Sequence, residues 1–470
     1  MGHQRPLPGR RYAFVGTGSR ARMYLTALLG THADVGHPVA FCDTNEVRMA
    51  YHDRIVHQAH PDLTVPHYAP GDFAALLARE RPDVVIVTSP DATHAGYVDA
   101  ALRHGADVVV EKPITTDVAG LRQIGDALAA GTGALTVTFN YRYSPRNSLV
   151  RQLVADGAIG EVTSVAFEWC LDTVHGADYF RRWHRDKDIS GGLLVHKASH
   201  HFDLVNWWLA DRPEVVFARG GLRFYGADNA RRRGLAPRPD RSRDAVGADD
   251  PFRLDITADD RLRQLYYDGE YLDGYVRDRD VFSGGITIED NLNVVVGYRG
   301  GASMSYTLHA HSPWEGYRVA INGTAGRIEL DVVERGHVTP AAPAATIGAA
   351  TATAVVDPTA DEDAHRDGAG QLRPPGARLL LQRHWEPARE IPIPTGRGGH
   401  GGGDAMLLDD VFRGPGSDPL SRQAGFLEGA ASVLVGVAGN RSLRTGQAVY
   451  LDELGVPLAA ATADRHGSAA

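Results

Sequence analysis

The stretch SGGLLVHKASHHFDLVNWW, residues 190–208, holds three histidines, an aspartate and a lysine, and the spacing of two of those histidines, His196 and His200, with Asp203 suits proton transfer. Two glycines lead into a run in which Leu194, Ala198, Phe202, Val205 and Leu209 recur at three- and four-residue steps, the period of a helix. At ~100° per residue those five fall within roughly 80° of arc, while His196, His200, Asp203 and Trp207 gather within roughly 60° on the opposite side. The spacing predicts a helix that packs on one face and presents two imidazoles and a carboxylate on the other. Lys197 falls between the faces. It stands out because the chain holds only three lysines, Lys112, Lys187 and Lys197, among 49 basic residues. An ammonium can give up its proton where a guanidinium cannot, so a lysine kept against that bias points to acid–base work.

Such side chains need a scaffold, and the N-terminal sequence reads as one. RYAFV (residues 11–15) has the character of a buried strand and is followed at once by GTGSRA (16–21) and a helical run. Strand, G-x-G-x-x-A and helix form the dinucleotide fingerprint: Gly16 for the tight turn, Gly18 for backbone approach to a pyrophosphate, Ala21 for close packing of helix on strand. Ser19 and Arg20 share that turn. A second strand, PVAFC, ends in Asp43, about 25 residues after Gly18, where a carboxylate accepts hydrogen bonds from an adenosine ribose and repels a 2′-phosphate. NAD is therefore expected as cofactor in preference to NADP. Further strand–helix units follow at DVVIVTSP (83–90), with a helix through His94, then at DVVVEKP (107–113) and ALTVTFNYRYSP (134–145). Continuous apolar strands alternating with helices imply a parallel sheet covered on both faces, which binds ligands at its polar strand ends. Ser89, Pro90, His94, Glu111, Lys112 and Asn140 are expected at the cofactor on that ground.

EKP at 111–113, FNYRYSP at 139–145, and a GG pair followed by His200 and Asp203 resemble the Gfo/Idh/MocA family of sugar and inositol oxidoreductases. The resemblance covers roughly residues 10–330. It implies an N-terminal Rossmann domain, expected over 10–143, and a C-terminal α/β domain with a large, open, mainly antiparallel sheet, expected over 144–460. Substrate would lie between that sheet and the nicotinamide. By the same resemblance Lys112 corresponds to the family's catalytic lysine and His200 to its catalytic histidine. Many members have Asp four residues before that histidine, whereas this chain has His196. A second imidazole holds a tautomer less well than a carboxylate does, so His196 is expected to act on the substrate itself, beside His200.

Past the first domain, EVTSVAFE alternates like a half-buried strand, and Trp183 opens the approach to the predicted helix. Residues 225–262, rich in Arg, Asp, Gly and Pro, read as a long excursion or lid. Strands return over 286–310, with a hairpin turn at Gly300 and Gly301. Aromatic rings and hydroxyls near a sheet face suit a sugar, so Tyr275, Tyr306 and Trp183 are expected at the substrate with Arg142, Lys197, Asp203 and Asp273 as polar partners. Residues 337–374 are expected to form a mobile loop. GRGGHGGGD (396–404) resembles the segment by which some family members cleave glycosides with bound NAD, and brings His400 toward the pocket.

Composition limits the alternatives. A formal charge of −9 argues against a nucleic-acid or anionic-membrane binder. Two cysteines, Cys42 and Cys170, are too few for a disulfide framework or a thiolate metal site. Neither a secretory signal nor an eighteen-residue apolar run is present, so a cytoplasmic location is expected, with a dimer or tetramer as the assembly. His196 and His200 at i, i+4 could share a metal, but neighbouring helix histidines more often serve as hydrogen-bonded pocket residues, and no metal is expected. The leading reading is an NAD-dependent oxidoreductase for a secondary hydroxyl of a sugar, cyclitol or glycoside. The alternatives are a glycoside hydrolase or lyase that oxidises transiently and keeps its NAD, and a sugar sensor without turnover.

Overall fold

The computed structural model describes residues 9–245, 250–338, 372–394 and 402–456. Most of the stretch expected to be a mobile loop, and His400, lie outside them. The first sheet is built from β1 (Arg10–Val15), β2 (Gly36–Cys42), β3 (His67–Tyr68), β4 (Val84–Val87), β5 (Asp107–Glu111) and β6 (Leu135–Thr138). All pairs are parallel and the order is β3-β2-β1-β4-β5-β6, the doubly wound arrangement. Its central strands are buried from end to end because helices cover both faces. The turn after β1 needs glycine: Gly16 sits at φ +80°, and a Cβ there would fall 2.5 Å from the Ser89 backbone. The loops after β1 and β4 can therefore meet.

The second sheet is made of β7 (Val162–Asp172), β8 (Pro213–Gly221), β9 (Asn291–Tyr298), β10 (Ser303–Ser312), β11 (Glu315–Gly323), β12 (Gly326–Arg335), β13 (Gly376–Arg383), β14 (Arg389–Glu390) and β15 (Val449–Tyr450). The order is β14-β13-β12-β11-β7-β10-β9-β8-β15, and only the β7–β10 pair is parallel. Alternation along β9 and β10 buries one face and exposes the other, as expected for a sheet covered on one side. The helices Ser199–Leu209 and Phe426–Thr445 pack together, and the latter lies along β8. Gly436 lets it press onto the Leu194 carbonyl, which would stand 2.5 Å from an added Cβ. One apolar core runs unbroken from Val85 and Val108 of the first sheet to Trp169 and Val294 of the second.

Two expectations change here. The predicted single helix is two pieces, Leu193–His196 and Ser199–Leu209, because the Lys197 and Ala198 N–H groups both turn back to the Leu193 carbonyl and the ladder shifts register. The second piece is buried on nearly every side, so the division into a packing face and a presenting face fails. The excursion is also longer than read from composition, running from the end of β8 at Gly221 to Asn291. It forms the helices Ala227–Arg232, Asp260–Leu265 and Glu270–Asp273. Ile256, Leu262, Leu265 and Tyr266 of this insertion pack against Tyr51 of the first domain.

Candidate functional site

A cleft of about 650 Å³ lies where the strand ends of the first sheet meet the second domain. Gly16, Gly18, Ser19, Arg20, Asp43, Ser89, Pro90, His94, Glu111, Lys112 and Asn140 all line it, as do Trp183, His196, Lys197, His200, Asp273 and Tyr275. Sequence spacing had singled out each of these, and the fold brings them together.

The glycine turn leads into the helix Ala21–Leu29, whose amino end is suited to a phosphate. The Ser19 N–H there donates to the Tyr266 hydroxyl at 3.0 Å, so a side chain of the insertion reaches over the turn. Arg20 Nε donates to Glu111 Oε1 at 2.5 Å and the Tyr24 hydroxyl donates to the same oxygen at 2.6 Å. Burial alone would raise the Glu111 carboxyl; Arg20 and Tyr24 outweigh it and hold the group below its ordinary value. Asp43 accepts from the Thr17 and Asn45 N–H groups at 2.6 and 2.9 Å and from Arg48 Nε at 3.0 Å. Asp273, expected near the substrate, instead pairs with Arg48 at this adenosine end. Turn, helix end and strand-end carboxylate fit a dinucleotide.

Lys112 follows β5 and is half-buried beside Asp91 and Glu111, its Nζ donating to the His196 carbonyl at 3.3 Å. Burial pulls the ammonium down to about 8, although Asp91 and Glu111 oppose the shift. His94 joins the loops after β4 and β5, with Nδ1 2.8 Å from the Pro113 carbonyl and Nε2 2.9 Å from that of Ser89. His196 Nδ1 lies 2.5 Å from Asp91 Oδ2. Burial raises the Asp91 carboxyl and lowers the His196 imidazole, so both shifts favour the uncharged form of the pair. The imidazole that stands four residues before His200 thus has a carboxylate of its own, carried by the first domain. His200 stacks on Tyr141 at 4.3 Å, and Tyr141 on Trp169 at 5.7 Å. Lys197 Nζ sits 4.8 Å from the Trp169 ring centre and donates to the Tyr141 hydroxyl at 3.3 Å.

Three expected substrate residues lie elsewhere. Arg142 and Asp203 form a buried two-pronged ion pair at 2.7 and 2.6 Å, outside the cleft. Tyr306 is buried, with its hydroxyl 2.7 Å from His201 Nδ1. The helix break and the packing of Ser199–Leu209 turn Asp203 into the core, which an ideal wheel does not foresee. Residues that sequence reading missed include Asp91, Tyr266, His184, and the group formed by Asp178, Arg182 and Arg277. A further line runs from Tyr179 at the cleft to His175 Nε2 at 3.2 Å, and from His175 Nδ1 to Glu315 at 2.5 Å. Asp91 follows directly on Ser89 and Pro90 and was open to discovery; His175 and Glu315 stand 140 residues apart, and no local signal joins them. Among the described residues no group of three or more His, Cys, Asp and Glu side chains is arranged to hold a metal.

The fold and cleft define a two-domain oxidoreductase with an NAD(P)-binding Rossmann domain. Residues 10–139 match the oxidoreductase family's NAD-binding Rossmann fold and residues 151–451 its C-terminal alpha/beta domain. The chain belongs to the Gfo/Idh/MocA oxidoreductase family. An oxidoreductase of Bacillus subtilis (strain 168) named YteT is 34% identical over 465 residues, spanning 95% of this chain and 98% of that protein. Inositol 2-dehydrogenase of Rubrobacter xylanophilus is 29% identical over 151 residues, or 31% of this chain and 39% of the relative. Aldose-aldose oxidoreductase from Caulobacter crescentus shares the fold, with a TM-score of 0.58 and 16% identity over 94% of this chain and 100% of that one. No described helix is long and apolar enough to cross a membrane.

Replacing Asp203 alone by Leu leaves the Arg142 guanidinium stranded in the core, and a loss of about 3–5 kcal/mol of unfolding free energy is expected; replacing both residues by Leu should cost clearly less. Urea unfolding of the two variants measures the difference, and equal losses would contradict it.

Proposed function

We propose that the enzyme uses NAD to oxidise or reduce a secondary hydroxyl of a sugar, cyclitol or glycoside, with Lys112 and His200 managing the hydroxyl proton. The observation that carries this reading is the Lys112 ammonium, half-buried and lowered to about 8 in the same cleft as the glycine turn. A bound nicotinamide supplies the acceptor or donor of hydride. Lys112 takes or gives the proton at the substrate oxygen, and His200, held flat against Tyr141, offers a second proton-accepting atom. His196 faces the cleft with one nitrogen fixed by Asp91, so its ring is oriented before substrate arrives. NAD is favoured over NADP because Asp43 and Asp273 together neutralise Arg48, the cation that would otherwise welcome a 2′-phosphate.

A second reading, cleavage of a glycoside with NAD retained through turnover, draws on the insertion. Tyr266 reaches Ser19, Asp273 holds Arg48, and the Gly269 carbonyl accepts from Asn45 Nδ2 at 2.8 Å. A cofactor covered from both domains suits a reaction that returns its hydride to the same molecule. A screen of sugars, cyclitols and glycosides that follows NADH absorbance and product mass together tests both. Net NADH supports the first reading, and free aglycone without net NADH the second; no reaction with any of them would refute both.

Lys112→Met is expected to leave NAD affinity nearly intact and to lower turnover by roughly 10²-fold or more. Hydroxyl oxidation needs the neutral amine, so its rate in the wild type should climb roughly tenfold per pH unit below about 8 and level off above. The reverse reduction needs the ammonium and should decline above the same pH. Wild-type turnover in the variant, or a flat profile, would count against the lysine.

Asp43→Ala and Asp273→Asn each unmask Arg48 and should narrow the preference for NAD, measured as the ratio of kcat/KM with the two cofactors. Equal use of both by the wild type would remove the argument.

His196→Asp would set a second carboxylate against Asp91, and it should lower kcat/KM rather than restore a dyad. Adding Asp91→Asn should recover part of the loss; a fully active single variant would contradict the geometry.

A further inference from the structure

The part of the cleft beyond the dinucleotide turn carries more cation than anion. Arg20, Lys112, Lys197, Arg182 and Arg277 line it, and the carboxylates beside them are Glu111, Asp91 and Asp178, of which Glu111 is held by Arg20. Asp91 is engaged by His196. Asp178 is taken by Arg277 through both terminal nitrogens, at 2.7 and 3.1 Å, and is also the acceptor for Arg182 Nη1 at 3.2 Å. One carboxylate therefore serves two guanidiniums.

Arg182 immediately precedes a short turn, Trp183–Arg185, and Arg182, Trp183 and His184 all line the cleft. Apart from the bond to Asp178, the Arg182 head donates to nothing among the described residues, and its side chain keeps 22% of its surface exposed. His184, only 3% exposed, has a buried Nδ1 with no hydrogen-bond partner among the described residues. Its ring stacks on Trp183 at 3.7 Å and meets His196 edge to face at 4.2 Å. A half-neutralised guanidinium and an uncommitted buried imidazole side by side are costly unless something fills them. An anion with two acceptor oxygens answers both.

We propose that the substrate is a sugar acid, its carboxylate received by Arg182 and His184 beside the Trp183 ring. The proposal rests on the reading of the enzyme as a sugar oxidoreductase and names its substrate class. A neutral sugar offers hydroxyls, which do not balance a surplus positive charge. The phosphates of the dinucleotide are the other anions that enter this cleft, so cofactor and sugar affinities must be read separately.

The test uses the full chain with NAD. D-galacturonate and D-glucuronate are compared with their methyl esters and with D-galactose and D-glucose, by calorimetric binding and by hydride transfer at 340 nm. The acids are expected to bind at least roughly tenfold more tightly than esters or neutral sugars. Arg182→Leu should raise KM for the acid roughly tenfold with a smaller effect on kcat, Arg182→Lys should recover part of it, and NAD affinity should stay unchanged. Esters or neutral sugars that bind as well as the acids would overturn the proposal while leaving the oxidoreductase reading in place. Weakened NAD binding in Arg182→Leu, with acid binding unaffected, would assign the site to the cofactor and overturn it too. Failure of acids and neutral sugars alike to bind or react would refute the proposal together with the reading beneath it.

Discussion

The partial burial of one ammonium, that of Lys112, organises the meeting of the two domains. A charged amine removed from water needs nearby carboxylates and hydrogen-bond acceptors, and Lys112 finds them on three separate elements: Glu111 on its own strand, Asp91 after β4, and the His196 carbonyl of the second domain. None of these is useful unless the others are in register. Glu111 is in turn held by Arg20 from the glycine turn, so the lysine and the cofactor loop share one electrostatic network. Any change in charge at the glycine turn is felt at Lys112.

Around that point the domains divide the work. The first supplies a parallel sheet whose strand ends carry Ser89, Asp91, Glu111 and Lys112 to one edge. The second supplies rigidity through stacked rings, with Tyr317 on Trp169 at 4.7 Å, then Tyr141 and His200 above them. A histidine at the top of such a stack has little freedom of tilt, so the rings hold its plane fixed at the cleft wall. The insertion between β8 and β9 adds a third contribution. Its apolar side rests on Tyr51 and its polar side touches Ser19, Asn45 and Arg48.

Much of this was legible in the chain. The fingerprint from Gly16 to Ala21, the strand ending in Asp43 and the EKP at the end of β5 identify their own surroundings, because each is a local pattern of turn, strand and helix. The resemblance to the Gfo/Idh/MocA family rests on that EKP together with FNYRYSP at 139–145 and the GG pair before His200 and Asp203, and the matches to both family domains bear it out. The errors came where contact depends on distant elements. Asp203 looked equivalent to His200 on a wheel, yet Arg142 draws it into the core. Asp273 looked like a sugar ligand, yet it meets Arg48 from an insertion whose path has no periodicity to follow.

Sequence alone determined the parallel sheet of the first half, the dinucleotide turn and the place of Lys112 at a strand end, since these follow from hydrophobic period, glycine stereochemistry and the end of a strand, while the sheet of the second half came from the family resemblance. Tertiary structure decided which polar groups face one another: His196 with Asp91, Tyr266 with Ser19, Arg182 and Arg277 with a single Asp178. The physical reason is range. Backbone preference acts over a few residues, whereas the energy of a buried charge depends on whatever side chains the packed chain brings within a few ångströms, however far apart they stand in sequence.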